Sequence, residues 1–205
     1  MSGRVEGILL AAGESRRMGY PKPLLMFGGK TFLENICAAM LAAMDRLVIV
    51  VGAQAERVRH KVPDDRRITV VDNPDFARGQ LSSLKVGLAA VSTDAAAAIV
   101  HLVDHPNVRA ETFRDVIEQY ERCRGQIIIA RYHARRGHPV LFDRALFAEL
   151  LSAPEGQGAR AVVNAEPGRV RYLEVEDPGV VLDLDTPAEL EAAGFAPPPG
   201  DRSKA

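Results

Sequence analysis

Tryptophan is absent from the 205 residues, cysteine occurs twice, and aromatic residues make up only 5% of the chain. Cys37 and Cys123 are too few and too far apart for a disulfide framework or a cysteine zinc site, so a reduced cytoplasm is the expected location. Neither charge sign is in excess: 26 Lys and Arg stand against 27 Asp and Glu, a net charge of −1. That balance leaves no basic field for nucleic acid or an anionic membrane, so any cationic function must be local. Long apolar runs are missing too. No stretch reaches the roughly 18 residues of a membrane span, and Met1 to Glu6 lacks the apolar core of a signal peptide. What is present is a 47% hydrophobic content in a length that suits one domain with an ordinary core.

Apolar runs alternate with helical patterns along most of the chain. Strands are expected at Val5–Ala11, Leu47–Val51, Ile68–Val71, Ala98–Val103, Ile127–Ala130, Val140–Phe142 and Val170–Val175. Helices are expected at Thr31–Met44, Leu81–Val91, Ala110–Arg122, Arg144–Leu151, Ala159–Asn164 and Pro187–Ala193. Near-continuous apolar strands separated by such helices imply an α/β fold with a mostly parallel central sheet covered on both faces. Ligands then bind beyond the carboxyl ends of strands, where the strand order switches. The tail 196–205, with three consecutive prolines and mixed charge, is expected to be disordered and to lie outside a single domain spanning 1–195.

The most informative segment follows the first strand. The run Leu10-Ala11-Ala12 stops at Gly13, and Arg16, Arg17 and Lys22 then gather positive charge around freed backbone N–H groups. Such a loop suits a polyphosphate. The two commonest nucleotide motifs are excluded by spacing. Gly29-Lys30-Thr31 ends like a P-loop, but its first glycine would fall at Leu24. A dinucleotide fingerprint starting at Gly13 would need glycine at Ser15 and Met18.

Leu10, Ala12, Gly13, Ser15, Arg17, Met18, Gly19, Lys22, Leu24 and Leu25 match in order the signature Leu-x-Ala-Gly-x-Ser-x-Arg-Met-Gly followed by Lys-x-Leu-Leu. The chain thus resembles the MobA-like nucleotidyltransferases, and in particular the molybdenum cofactor cytidylyltransferase branch, over roughly residues 4 to 193. The resemblance implies a three-layer Rossmann-like, GT-A-like fold and Mg²⁺-dependent transfer of CMP from CTP to molybdopterin. It also raises a molybdoenzyme client that receives the cofactor. In the family, the guanylyl branch carries Leu-Ala-Gly-Gly where the cytidylyl branch carries Leu-x-Ala-Gly. A methyl group at Ala12 would narrow the base pocket and favour a pyrimidine.

The site residues follow. Lys22, stiffened by Pro21 and Pro23, and Arg17 are expected to neutralise the triphosphate and the leaving pyrophosphate. Leu10, Ala11, Ala12, Gly13 and Gly19 are expected to bring backbone close to nucleotide. Gly79-Gln80-Leu81-Ser82-Ser83-Leu84 resembles the family's Gly-x-x-Ser-Ser-Leu, placing Gly79, Ser82 and Ser83 at the base or ribose, with simple helix capping as the competing account. Asp104 ends a buried strand in Val103-Asp104-His105-Pro106, where the family has Gly-Asp-Gln-Pro, and is expected to hold metal. Asp183-Leu184-Asp185-Thr186-Pro187 resembles the family's Asp-Ile-Asp-Thr-Pro. By that analogy Asp183 is a second metal ligand and Asp185 supports it or touches substrate, while Thr186 and Pro187 suit a helix start. Gly137-His138-Pro139-Val140-Leu141-Phe142 matches a further family motif, so His138 and the basic Arg131–Arg136 stretch are expected near the acceptor phosphate, with His105 nearby. A sugar or polyol phosphate acceptor, or a non-catalytic cofactor chaperone, are the alternatives.

Overall fold

Alternating apolar residues on the first strand build both faces of the molecule, as the computed structural model shows for residues 3–123 and 125–195. The strand β1 (Arg4–Ala11) sends Leu9 and Ala11 into one apolar cluster and Ile8 and Leu10 into another. A period of two on a fully buried strand requires cover on both sides, and helices supply it.

Around β1 the remaining strands are β2 (Met26–Phe27), β3 (Lys30–Thr31), β4 (Leu47–Val51), β5 (Ile68–Asp72), β6 (Ala95–Leu102), β7 (Ile127–Tyr132), β8 (Arg135–Asp143) and β9 (Val170–Glu174). The helices are α1 (Phe32–Leu41), α2 (Ala55–Arg59), α3 (Gln80–Ala90), α4 (Ala110–Cys123), α5 (Phe147–Ser152), α6 (Arg160–Ala165) and α7 (Pro187–Ala192). Seven strands form one sheet in the order β5-β4-β1-β6-β8-β7-β9, and β2 pairs with β3 in a small hairpin. All strand pairs in the large sheet are parallel except those of β8, which runs antiparallel to β6 and β7. The α/β class with a mostly parallel sheet is therefore as expected.

The helices form where the sequence supplies both a stripe and a start. In α1, Leu33, Ile36, Cys37 and Met40 recur at helical spacing and are buried, while Thr31 and Glu34 close a reciprocal cap at the N-terminus. Helix α4 carries Phe113 and Val116 into the same layer, against β6 and β7. Helices α3 and α5 cover the opposite face through Leu81, Leu84, Leu88 and Leu150.

Several boundaries differ from expectation. The α1 pattern ends at Leu41 rather than Met44, and Arg144–Leu146 is a 3₁₀ turn leading into α5. The second-to-last strand is longer than Val140–Phe142: β8 begins at Arg135, because His133 and Ala134 take left-handed conformations that turn the chain back from β7. The short α2 and the β2–β3 hairpin have too few residues for a period to be read. The tail 196–205 lies outside the described residues. No helix among those described is long and apolar enough to cross a membrane.

Candidate active site

Strand β1 is flanked by β4 on one side and β6 on the other, so the connections out of it diverge beyond their carboxyl ends. The crevice that opens there is where an α/β sheet binds ligand. Ala12 and Gly13 leave β1 into the loop. Ser15, in a left-handed conformation, folds that loop: its carbonyl accepts from Met18 and Gly19 N–H, and its hydroxyl accepts from Lys22 N–H at 3.0 Å. Pro21 and Pro23 frame a 3₁₀ turn at Lys22–Leu24, and all four residues 21–24 are buried.

The consequence is a lysine with only 7% of its surface exposed, whose ammonium must find carboxylates. It finds three. Lys22 Nζ lies 2.5 Å from Asp185 Oδ1, 3.5 Å from Asp104 Oδ2 and 4.0 Å from Asp183 Oδ1. Arg17 pairs with the other oxygen of Asp185. Asp104 follows β6 and Asp185 precedes α7, 81 positions apart, yet the Leu184 N–H donates to the Asp104 carbonyl at 3.2 Å. Leu184 is fully buried, and this anchors the aspartates on either side of it. Thr186 caps α7 with Glu189 answering, and Pro187 opens the helix.

Three carboxylates this close repel one another. Burial, reinforced by Asp104 and Asp185, raises the Asp183 carboxyl above the usual carboxylate range. Burial acts the same way on Asp185, but Lys22 and Arg17 together outweigh it and hold that carboxyl low. Ligand oxygens of Asp104, Asp183 and Asp185 all lie within 4.8 Å of one another. Asp104 Oδ1 is buried without a hydrogen-bond partner. An orphaned carboxylate oxygen inside an over-charged acidic trio fits a divalent cation, which takes oxygen ligands.

Lys22, Arg17, Asp104 and Asp185 border a cavity of about 310 Å³ whose walls include Leu10, Ala12, Gly13, Phe76, Gly79, Gln80 and Ser83. Ala11 is buried at the end of β1 behind this wall. A side chain added at Gly13 would meet nothing, so the loop backbone faces open space, and Gly19 turns the loop with a φ of +70°. Gly79, at φ +107°, starts α3 and presents its N-terminus to the same cavity. The two serines separate here. Ser83 lines the cavity, whereas the Ser82 hydroxyl donates to the Asp75 and Gly79 carbonyls, and the Asn73 amide donates to both serines. Asn73, Phe76 and Gln80 escaped the sequence reading. The first is an isolated polar residue after a strand, and the other two flank Gly79 without any distinctive spacing.

A second cavity, of about 880 Å³, joins the first at Leu10, Gln80 and Leu102. Arg135, Arg136, His105, His138 and Asp183 lie on its wall. His105 Nε2 is 3.8 Å from Asp104 Oδ1, and the rings of His105 and His138 are 5.4 Å apart. Burial, with His105 beside it, pushes the His138 imidazole down to about 4, and burial also drives fully enclosed His101 well below its ordinary value. Both shifts favour the neutral imidazole at His138 and His101. The basic stretch is less uniform than its sequence suggests: Arg131 pairs with Glu174, and Arg136 stacks over Tyr172 at 4.8 Å.

Comparison with known proteins agrees with this geometry. The model of the MobA-like NTP transferase domain matches residues 7–170. The molybdenum cofactor cytidylyltransferase of Escherichia coli is 26% identical over 189 residues, covering 92% of this chain and 95% of that protein. The nicotine blue oxidoreductase of Paenarthrobacter nicotinovorans is 33% identical over 197 residues, covering 91% and 94%. Among solved structures, Rv0371c of Mycobacterium tuberculosis is 31% identical, covers 94% of this chain and 98% of its own, and superposes with a TM-score of 0.82. A structure of that protein in complex with manganese gives 0.76. A loop lysine closing on three aspartates at the switch of a mostly parallel sheet is thus set in a recognised frame, and the chain is a nucleotidyltransferase that belongs to the MobA-like NTP transferase family.

Proposed function

We propose that the protein transfers CMP from CTP to molybdopterin or its molybdenum-loaded form, releasing pyrophosphate, with Mg²⁺ as the metal. The observation that carries this reading is the Lys22 ammonium lying within 4.0 Å of all three aspartates at the edge of the cavity. The name of the E. coli relative supports the base and the acceptor, and Ala12 in the cavity wall supports the smaller pyrimidine.

Asp104 and Asp183 would hold Mg²⁺, with Asp185 beside them. Bound there, the ion supplies charge neutralisation to triphosphate oxygens. Lys22 leaves its carboxylates for the phosphates and offsets the charge that builds on the departing pyrophosphate, assisted by Arg17. Backbone N–H groups after Gly13 and at the start of α3 receive the remaining phosphate and sugar oxygens. The acceptor phosphate enters from the larger cavity, where Arg135, Arg136 and His138 line the approach, and attacks the α-phosphorus in line.

The test is pyrophosphate release by purified protein with Mg²⁺, each nucleoside triphosphate in turn, and molybdopterin, a sugar phosphate or a polyol phosphate as acceptor. Release with CTP and molybdopterin, and its loss in Asp104→Asn, is the expected result. Release with GTP but not CTP overturns the base assignment, and release with a sugar or polyol phosphate alone overturns the acceptor. Tight CTP binding without turnover would favour a carrier that hands cofactor to a molybdoenzyme. Redox turnover without pyrophosphate, in keeping with the name of the Paenarthrobacter relative, would overturn the reading entirely.

A further inference from the structure

The two large apolar clusters cover the faces of the sheet, but a third is separate from both. Met18, Leu25, Phe32, Leu184, Leu190 and Phe195 form it, all of them buried. Its membership is unusual in one respect. Met18 is the neighbour of Arg17, the Leu25 N–H donates to the Lys22 carbonyl to close the turn that begins there, and Leu184 sits between Asp183 and Asp185. Arg17, Lys22, Asp183 and Asp185 are therefore each tethered by an apolar residue of their own segment. The cationic loop and the acidic segment are far apart in sequence, and this cluster joins them by packing.

Phe195 closes the cluster. Its ring lies 5.2 Å from Phe32, edge to face, and 4.5 Å from Phe27 on the β2–β3 hairpin. Its N–H donates to the Leu190 carbonyl at 3.0 Å, returning the chain over the end of α7 after Gly194 turns it at φ +78°. The ring thus ties the hairpin and the start of α1 to the end of α7, the helix that follows the segment carrying Asp183 and Asp185. Neither main cluster includes any of its partners.

We propose that Phe195 is a positioning residue for nucleotidyl transfer: it clamps the Lys22 loop against the Asp183–Asp185 segment, and so sets the spacing between phosphate-binding cations and metal-binding carboxylates. The proposal rests on the assignment of the Lys22 loop and the three aspartates as the nucleotide and metal site. It places the clamp at distance from the chemistry, where a shift of about 1 Å is enough to cost rate.

The experiment compares Phe195→Ala and Phe195→Leu with Leu150→Ala, a cavity placed in the α5 face of the sheet away from the site. Mn²⁺ binding is followed by electron paramagnetic resonance with and without CTP, alongside KM, kcat and the thermal midpoint. Phe195→Ala is expected to weaken Mn²⁺·CTP binding at least fivefold, and Phe195→Leu to recover most of it. Leu150→Ala is expected to lower the thermal midpoint at least as much while leaving binding within twofold. Amide exchange is expected to speed up in Phe195→Ala at residues 16–25 and 183–186, but not along β7. Wild-type binding in Phe195→Ala, or losses of binding that track the thermal midpoint across all three variants, overturns the proposal. If the unaltered protein binds no nucleotide with any metal, the functional assignment fails, and the exchange pattern alone still decides whether Phe195 clamps these two segments.

Discussion

The buried Lys22 ammonium faces three carboxylates, and this decides what its removal does. Removing it leaves Asp104, Asp183 and Asp185 mutually repelling, with exposed Arg17 on Asp185 and the His105 ring beside Asp104. Lys22→Gln is therefore expected to lower the metal-free thermal midpoint and to restore it on adding millimolar Mg²⁺ or Mn²⁺, with a larger metal-induced rise than in the unaltered protein. Differential scanning fluorimetry with and without chelator reads this directly. An equal metal response in both proteins would mean that the ammonium does not occupy the cation's place. The same substitution is expected to cost activity at least a hundredfold, in line with about 2.7–4 kcal/mol for loss of one group that stabilises transition-state charge.

The histidines make a second residue-scale prediction. The His138 imidazole is held down to about 4 by burial against an ordinary value of 6.5, and buried His101 shifts the same way. Between those values the unfolded chain binds protons that the folded protein excludes. Stability must therefore fall as pH drops from about 6.5 toward 4, by at most ~1.4 kcal/mol per pH unit for each proton. Urea midpoints measured at intervals from pH 7 to pH 4.5 are expected to show this slope, and His138→Gln to reduce it. A slope unchanged by the substitution would show that His138 gains its proton in the folded state as readily as in the unfolded one.

At the scale of elements, the site depends on close approach between β8 and the turn at Pro178–Val181. A Cβ on Gly137 would fall 1.8 Å from the Val180 carbonyl oxygen, and backbone cannot yield as a flexible side chain does. Gly137→Ala must push apart the strand carrying His138 and the turn that leads to Asp183. The expected cost is ~1–3 kcal/mol, as for other overpacked sites, seen as a lower urea midpoint. Activity should fall further than stability alone explains, since both sides of the acceptor cavity move. A Gly137→Ala protein with unchanged midpoint and turnover would show that the turn relaxes without consequence.

Elements also show what a sequence makes legible. Strands β1, β4 and β6 are readable because both of their faces are buried, leaving near-continuous apolar runs that only Glu6 and Gly7 in β1 and His101 in β6 interrupt. Strand β8 was readable only in its apolar half, Val140–Phe142. Its first residues are arginines on an exposed edge of the crevice, and the turn before it uses His133 and Ala134 where glycine would have announced it. The insertion of β8 between β6 and β7 has no local signal, because strand order is set by long-range packing. Within the site, Lys22, Asp104 and Asp185 were legible from motifs, and the structure brings them together. Asn73 was not, since its work is to hold two serine hydroxyls across a turn, a contact no spacing encodes. The same limit hides the apolar clamp around Phe195: its members sit at ordinary hydrophobic positions, and only their juxtaposition distinguishes them.

For the whole molecule, the near-neutral charge means that attraction for a polyanion comes from one place and not from a diffuse field. Two of the cations there, Arg17 and Lys22, are differently shielded. The Arg17 side chain is 71% exposed and that of Lys22 only 9%. Screening acts strongly on exposed charges, since the Debye length falls from about 10 Å at 0.1 M to about 3 Å at 1 M, and weakly on buried ones. Raising the salt should therefore remove the contribution of Arg17 and leave that of Lys22. An exposed ion pair is worth about 0–1 kcal/mol, so KM for the nucleotide is expected to rise no more than about fivefold between about 0.05 M and about 0.5 M KCl. Arg17→Ala should begin at the high-salt KM and stay nearly flat across the series. Its kcat should change less than that of Lys22→Gln, because in the proposed mechanism the exposed guanidinium would capture the triphosphate while the enclosed ammonium would meet the charge of the leaving group. A steep salt dependence that persists in Arg17→Ala would place the attraction elsewhere on the surface, and a flat one in the unaltered protein would assign phosphate capture to Lys22 and the loop backbone alone.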